Sequence, residues 1–117
     1  MSKIHMFLLA GLTGLTLAAG AALAEGMLTA KNGMTLYTFD KDTGTDSTCY
    51  DKCATFWPPY LAEASDKASG EWTMTKRKDG AMQWVYNGHP VYFFKDDAAK
   101  GDMKGDGMNS VWHVVKE

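Results

Sequence analysis

The chain has 117 residues, which suits one small domain and is too short for a multidomain enzyme. Its formal charge of −2 shows none of the basic excess that marks nucleic-acid-binding proteins. The sequence also lacks a run of Lys or Arg that would attract it to an anionic membrane surface.

The first 24 residues have the pattern of a cleavable export signal. An apolar run extends from about Met6 to Ala19, and the small residues of Ala22-Leu23-Ala24 supply a cleavage pattern. This run is shorter than a membrane-spanning helix requires. We therefore predict a mature domain of residues 25–117, with no transmembrane segment, in the periplasm or secreted to the medium.

A self-similar pattern occurs twice in the chain, with a constant offset of 55 residues. Each copy reads Asn-Gly, a short apolar run, Tyr-x-Phe-x-x-Asp, a loop rich in Gly and Asp, and then Trp. The matched pairs are Asn32 and Asn87, Leu36 and Val91, Tyr37 and Tyr92, Phe39 and Phe94, Asp42 and Asp97, and Trp57 and Trp112. We predict a first repeat of about 27–60 and a second of about 82–115. A solenoid usually needs about three units. We therefore expect these two repeats to close around one shared core.

The turn residues predict an all-β or mainly β fold. Both Asn-Gly pairs lie between strand-like runs and suit a type I′ turn, which needs positive φ at two successive residues. We expect hairpins over about 27–39 and 82–95, a strand over 72–76 that turns at 78–80, and a last strand over 111–115.

Counting residue pairs outward from these turns predicts the register of the strands. The expected opposite pairs are Trp72 with Tyr86, Met74 with Trp84, Trp84 with Val91, and Met82 with Phe93. One face then carries Trp72, Met74, Met82, Trp84, Val91 and Phe93, and the other carries Val85, Tyr92 and Phe94. Because both faces are partly apolar, the sheet needs cover on two sides.

One short helical turn near Cys49 and Cys53 interrupts the strands. Ser47 is the expected cap of a helix through about residues 53–56, which Pro58-Pro59 ends. The spacing C-x3-C differs from the C-x-x-C of redox sites, and an oxidising compartment favours a structural disulfide. A redox-active pair and a metal site are the alternatives.

The repeated Tyr-x-Phe-x-x-Asp element is the most specific signal in the sequence. Its members are Tyr37, Phe39 and Asp42 in the first repeat, and Tyr92, Phe94 and Asp97 in the second. A Tyr hydroxyl and a carboxylate together could form a polar ligand-binding corner or could lock a strand to a loop. Occurrence in two copies favours an architectural role, since a catalytic site rarely needs two.

Metal ligands and catalytic groups give weaker signals. Met and Cys suit Cu(I) and Asp-rich loops suit Ca²⁺, and the candidate ligands are Asp102, Asp106, His89 and His113. Neither G-x-S-x-G nor H-E-x-x-H occurs in the sequence. We expect no catalytic residues and no cofactor.

The chain resembles the secreted-repeat family of bacterial exported proteins, predicted lipoproteins with a Yx(FWY)xxD motif. The matching stretches are G-M-T-L-Y-T-F-D-K-D at 33–42, C-x3-C-x3-W-P-P at 49–59, R-K-D-G at 77–80, Q-x2-Y-x-G-x-P-x-Y at 83–92, and the loop from Gly101 to Trp112. The resemblance implies an exported cell-envelope protein without an established activity. Many relatives carry a lipobox cysteine, whereas Glu25 follows Ala24 here, which favours a soluble form.

Together these features predict a non-catalytic binding or structural module of the cell envelope, with an envelope protein as a candidate partner and no nucleic acid. The alternative is a metal-binding protein, for copper or calcium, or a redox accessory protein of the periplasm.

Overall fold

The computed structural model describes residues 26–117, so the predicted export signal lies outside the described residues. The elements are β1 (Tyr37–Phe39), α1 (Lys52–Phe56), β2 (Trp72–Lys76), β3 (Met82–Tyr86), β4 (His89–Pro90), a 3-10 helix (Met108–Ser110) and β5 (Trp112–Val114). The prediction of a mainly β domain with one short helical turn is confirmed. Over the described residues, the longest apolar helix falls short of the length that would span a membrane.

The three-stranded sheet β2-β3-β4 has the register that its first turn predicts. Trp72 lies opposite Tyr86, and Met74 lies opposite Trp84. The loop 78–80 closes with the Gly80 N–H donating to the Arg77 carbonyl at 2.9 Å. Gly80 has a φ of 93° there, a left-handed conformation that a residue without Cβ adopts at little cost.

The two Asn-Gly turns differ from each other. Asn87 and Gly88 have φ values of 50° and 82°, which fits the predicted type I′ turn. Of Asn32 and Gly33, only Gly33 has positive φ, and its N–H donates to the Ala30 carbonyl at 2.9 Å. The prediction of a type I′ turn at Asn32 is therefore wrong. This hairpin has a three-residue loop, in which one left-handed Gly accommodates the additional residue.

The predicted pairing of Met82 with Phe93 is also wrong. The ladder between β3 and the segment after β4 ends at Trp84, because residues 60–62 take over the edge of β3. The Trp84 N–H donates to the Tyr60 carbonyl, and the Ala62 N–H donates to the Met82 carbonyl, both at 2.8 Å. Met82 is consequently 37% exposed and does not join the core.

The two repeats meet where Tyr37 and Tyr92 exchange backbone hydrogen bonds. Each N–H donates to the other residue's carbonyl, at 2.8 Å from Tyr37 and 2.9 Å from Tyr92. On its other side Tyr37 pairs with Val114 in β5, and Tyr92 pairs with Pro59. Four extended segments therefore lie side by side in the order 57–59, 92–94, 37–39 and 112–114. The offset of 55 relates the two inner segments to each other and the two outer segments to each other.

Two hydrophobic clusters form the core. The first contains the motif aromatics and has as its buried members Tyr37, Cys49, Trp57, Tyr92, Phe94 and Trp112. The second, on the sheet, is formed by Leu28, Ala30, Leu36, Trp84 and Val91, with Tyr60, Trp72, Met74, Tyr86 and Phe93 packed against them. The predicted assignment of Trp84 and Val91 to one face, and of Tyr92 and Phe94 to the other, is confirmed.

Helix α1 begins without the predicted cap. Asp51 occupies the N-cap position, and its side chain makes no capping hydrogen bond. Ser47 lies four residues earlier, where its hydroxyl accepts from the Cys49 N–H at 3.1 Å. The helix ends with the Trp57 N–H donating to the Cys53 carbonyl at 2.8 Å, just before the two prolines.

Gly105 packs directly against the motif aromatics, and this generates a stability prediction. A Cβ at Gly105 would lie 2.5 Å from Trp57 Cη2 and 3.0 Å from Phe94 Cγ. We expect Gly105→Ala to lower the free energy of unfolding by about 1–3 kcal/mol, because both rings are held in a packed core. Urea unfolding measures this loss.

Gly26→Ala is the matched control, since a Cβ at Gly26 meets no atom within 4 Å. Equal stability of the Gly105→Ala and Gly26→Ala variants would contradict the described packing around Trp57.

Candidate functional site

The motif aromatics form a column of four stacked rings. Trp57 and Trp112 lie face to face at its centre, with ring centroids 3.9 Å apart and planes 3° from parallel. Trp112 stacks on Phe39 at 4.1 Å, and Trp57 stacks on Phe94 at 4.3 Å. Each tryptophan therefore stacks on the phenylalanine of the other repeat, so the column joins the two halves.

The motif tyrosines and aspartates are also exchanged between the repeats. The Tyr37 hydroxyl donates to Asp97 Oδ2 at 2.6 Å, and the Tyr92 hydroxyl donates to Asp42 Oδ2 at 2.6 Å. Both tyrosine side chains are fully buried. These two hydrogen bonds join the segment that carries each tyrosine to the loop of the other repeat.

Each motif carboxylate also holds the loop that follows it. Asp42 Oδ1 accepts from the backbone N–H of Thr48 at 2.8 Å and from its hydroxyl at 2.7 Å. Asp97 Oδ1 accepts from the Lys104 N–H at 2.9 Å. The two carboxylates thus have equivalent roles in the two repeats.

A buried arginine extends this network around Asp42. Arg77 is 6% exposed, and its Nη1 donates to Gln83 Oε1 at 2.7 Å and to Ser47 Oγ at 3.1 Å. Its Nη2 donates to the Cys49 carbonyl at 2.8 Å, and the guanidinium lies 4.3 Å from the centre of the Tyr50 ring. No carboxylate within residues 26–117 forms an ion pair with Arg77. The charge is instead stabilised by neutral acceptors and by a ring.

The hydroxyl protons of this network have one consistent arrangement. Ser47 Oγ accepts from Arg77 and from the Cys49 N–H, which occupies both of its lone pairs. Its own proton is therefore directed to the Tyr92 oxygen, 2.6 Å away. Tyr92 in turn donates to Asp42. Two hydroxyls thus connect the cation of Arg77 to the buried carboxylate of Asp42.

The oxygen of the other motif tyrosine, Tyr37, has a hydrogen-bond donor that is not part of an arginine network. The Tyr37 oxygen accepts from the backbone N–H of Gly105 at 3.2 Å. The sequence predicted Ser47 only as a helix cap and did not predict that Arg77 is buried beside it. The charges of R-K-D-G at 77–80 are typical of an exposed turn, and nothing in the local pattern distinguishes Arg77 from Lys78, which is exposed.

The two cysteines are joined in a disulfide, as predicted. Cys49 is fully buried among the motif aromatics, and Cys53 is partly buried against them. The bond therefore fixes α1 and the start of the Trp57 segment to the core. The second repeat has Lys104 and Met108 at the equivalent positions.

Two of the predicted metal-ligand candidates, Asp102 and Asp106, accept hydrogen bonds from backbone N–H groups. Asp102 accepts from the N–H groups of Ala98 and Ala99, which lower the pKa of its carboxyl group. Asp106 Oδ1 accepts from the Val114 N–H at 3.0 Å.

The two histidines lie in separate places. His113 Nε2 lies 2.8 Å from Asp40 Oδ2, whereas His89 is exposed at the β4 turn. Within residues 26–117, no group of three or more His, Cys, Asp or Glu side chains is gathered as a metal site would require.

A cavity of about 280 Å³ opens beside the second cluster. Its lining consists of Thr29, Ala30, Lys31, Tyr60, Lys67, Ser69, Trp72 and Trp84 and is mostly apolar. Trp72 and Trp84 meet edge to face at 5.5 Å, and the Tyr60 centroid lies 6.2 Å from each of them. The Tyr60 hydroxyl accepts from the Lys31 N–H at 3.1 Å, which fixes this ring at the wall.

The sequence reasoning did not find this cavity. Residues 63–70 have the composition of a polar linker, yet they contribute Lys67 and Ser69 to the lining. Asp66 holds this segment in place, since its Oδ1 bonds Lys31 Nζ at 2.6 Å and its Oδ2 accepts from the Glu63 N–H at 2.8 Å. The linker therefore belongs to the folded structure and forms one wall.

Comparison with known proteins assigns the chain to a family. The sequence profile described as a secreted repeat of unknown function matches residues 24–60 and 73–116. The chain therefore belongs to this secreted-repeat family. No curated protein and no solved structure matches the chain.

The buried tyrosines generate a prediction about alkaline pH. Burial, followed by the hydrogen bond to Asp97, raises the pKa of Tyr37 above its ordinary value of 10.0. Burial, followed by the hydrogen bond to Asp42, likewise raises the pKa of Tyr92. Above about pH 10 the unfolded chain releases protons that the folded chain keeps. We therefore expect the contribution of these tyrosines to the free energy of unfolding to be constant below about pH 10 and to fall as the pH rises.

The measurement is the urea midpoint as a function of pH, with the Tyr37→Phe, Tyr92→Phe double variant as the control. The midpoint of the wild type should fall more steeply above about pH 10 than that of the double variant. Parallel curves would show that these two hydroxyls are not held protonated by the fold.

Proposed function

We propose that this member of the secreted-repeat family is a non-catalytic binding module, exported to the periplasm or the medium, that holds a small ligand in the cavity at Trp72 and Trp84. The observation that carries the proposal is a separation of roles. The polar groups of the repeated motif are bonded to one another in the interior, whereas the rings of the cavity face an open space.

The state of the motif groups supports a structural role for them. Both tyrosines are buried hydrogen-bond donors with raised pKa values, so neither is a ready nucleophile or base. Asp42 is 8% exposed and accepts three hydrogen bonds. A carboxylate in this condition stabilises loops and strands and has little capacity left for a substrate.

The cavity supports the binding role. Small-molecule sites are typically concave and mostly apolar, with a few polar groups that set orientation. This cavity has three aromatic walls, three hydroxyl groups and two lysines in its lining. Its walls are held by the sheet, by the bond from Lys31 to Tyr60, and by the folded linker, so the site exists before a ligand arrives.

The second candidate function is a copper, calcium or redox accessory protein. It would use groups that have other partners in this structure. Cys49 and Cys53 are joined to each other, and Asp102 and Asp106 accept backbone N–H groups. The experiment below includes these ions as competing outcomes.

The test is protein-observed NMR of the purified protein with a set of one-ring and two-ring compounds, and separately with Cu(I) and Ca²⁺. We expect saturable shifts at the indole signals of Trp72 and Trp84 and at the amides of Thr29 and Ser69. Trp72→Ala should abolish these shifts. Phe56→Ala, which removes a ring that is 40% exposed on α1, should leave them unchanged.

Two results would contradict the proposal. One is the absence of cavity shifts with every ring compound. The other is stoichiometric metal binding that depends on Asp102, Asp106 or the histidines and leaves the cavity signals unmoved.

A further inference from the structure

We infer that the ligand of this cavity is a small planar molecule of one or two rings that carries a negative charge, such as an aromatic carboxylate. This inference rests on the proposed function and specifies the chemistry of the molecule that the cavity accepts. It follows from the size of the cavity, from the arrangement of its rings and from the charges at its rim.

The size of the cavity limits the ligand to one or two rings. Its volume is about 280 Å³. An apolar cavity of about 150 Å³ accommodates benzene, so this one has room for a larger ring system with a short polar group. A longer chain or a folded peptide would extend beyond the lining residues.

The ring arrangement favours a planar guest. Trp72 and Trp84 meet with their planes 79° apart, and Tyr60 meets Trp72 at 85°. Such a corner presents both a ring face and a ring edge to the space between the walls. A flat aromatic molecule can stack on one wall and contact the edge of another, which are the two favoured geometries of aromatic pairs.

The rim charges favour an anion. The lining contains Lys31 and Lys67 and no acidic residue. Lys31 already pairs with Asp66, whose second oxygen is occupied by the Glu63 N–H. Lys67 has no carboxylate within ion-pair distance among residues 26–117. Lys67 is therefore the lining residue whose charge no carboxylate offsets, and we expect it to select the charge of the ligand.

The two other ligand classes fit less well. An aromatic cage commonly takes a cation over its rings, but here a cation would be repelled by the charge of Lys67. A sugar presents several hydroxyls that need partners, whereas this lining is mostly apolar and offers the hydroxyls of Thr29, Ser69 and Tyr60, the last already accepting a bond. An aromatic anion can stack on the rings of the cavity and can also pair with the positive charge of Lys67.

The test compares three probes of equal size by titration of the purified protein at low salt: 2-naphthoate, 2-naphthalenemethanol and 2-naphthylmethylammonium. We expect 2-naphthoate to bind about fivefold more tightly than the alcohol, which corresponds to the upper end for an exposed charge pair. The ammonium probe should bind most weakly. Added salt should reduce the preference, because the charges lie at the solvent-exposed rim.

Two lysine variants locate the effect. Lys67→Gln should reduce the preference for 2-naphthoate over the alcohol to less than about twofold while leaving alcohol binding intact. Lys52→Gln, a matched change of an exposed lysine on α1, should leave the preference unchanged. Both variants replace exposed side chains, and urea unfolding verifies that they remain folded.

The outcomes separate this inference from the proposed function. Equal binding of the three probes, tighter binding of the ammonium probe, or displacement of the alcohol by N-acetylglucosamine would overturn the anionic class and leave the binding module standing. If no probe binds at the cavity, the proposed function fails together with this inference.

Discussion

Two hydrogen bonds, from Tyr37 to Asp97 and from Tyr92 to Asp42, are the interactions on which the rest of the structure depends. A buried tyrosine hydroxyl without a partner costs about 1–3 kcal/mol, and in this fold each hydroxyl finds its carboxylate in the opposite repeat. The stacked column shows the same pattern, because each Trp ring packs on the Phe ring of the other repeat. Neither half can satisfy its own motif, so the two halves form one cooperative core although each contains a full copy of the pattern.

The two repeats support this shared centre by different means. Ser47 of the first repeat holds the Tyr92 oxygen, and the adjoining loop is fixed by Arg77 and by the disulfide. In the second repeat a backbone N–H of Gly105 meets Tyr37, and the absence of a Cβ there lets Trp57 pack against the chain. The cavity lies outside the symmetric centre, against the second cluster. Its formation depends on the linker, which has no copy elsewhere in the chain.

The sequence predicted the elements whose signals are local. Turn chemistry at 78–80 and at Asn87 was sufficient to predict the register of Trp72 and Met74, and the alternation around Tyr92 assigned the two faces correctly. Two errors were local, the type I′ turn at Asn32 and the cap at Ser47, whereas the others arose where a distant segment competes. Residues 60–62 displace the expected partner of Met82. The offset of 55 residues between the repeats does not indicate which aspartate each tyrosine hydroxyl contacts. Arg77 and the cavity could not be predicted, because their burial depends on segments that are far apart in the sequence.

The most direct test of the exchange between repeats is a pair of double-mutant cycles on the free energy of unfolding. The first cycle combines Tyr37→Phe with Asp97→Ala, and the second combines Tyr37→Phe with Asp42→Ala. The account predicts a coupling energy of about 1.5–3 kcal/mol in the first cycle, the range for a hydrogen bond to a charged group. In the second cycle the effects should add to within about 0.5 kcal/mol. Strong coupling of Tyr37 to Asp42, with none to Asp97, would contradict the account, because each repeat would then complete its own motif.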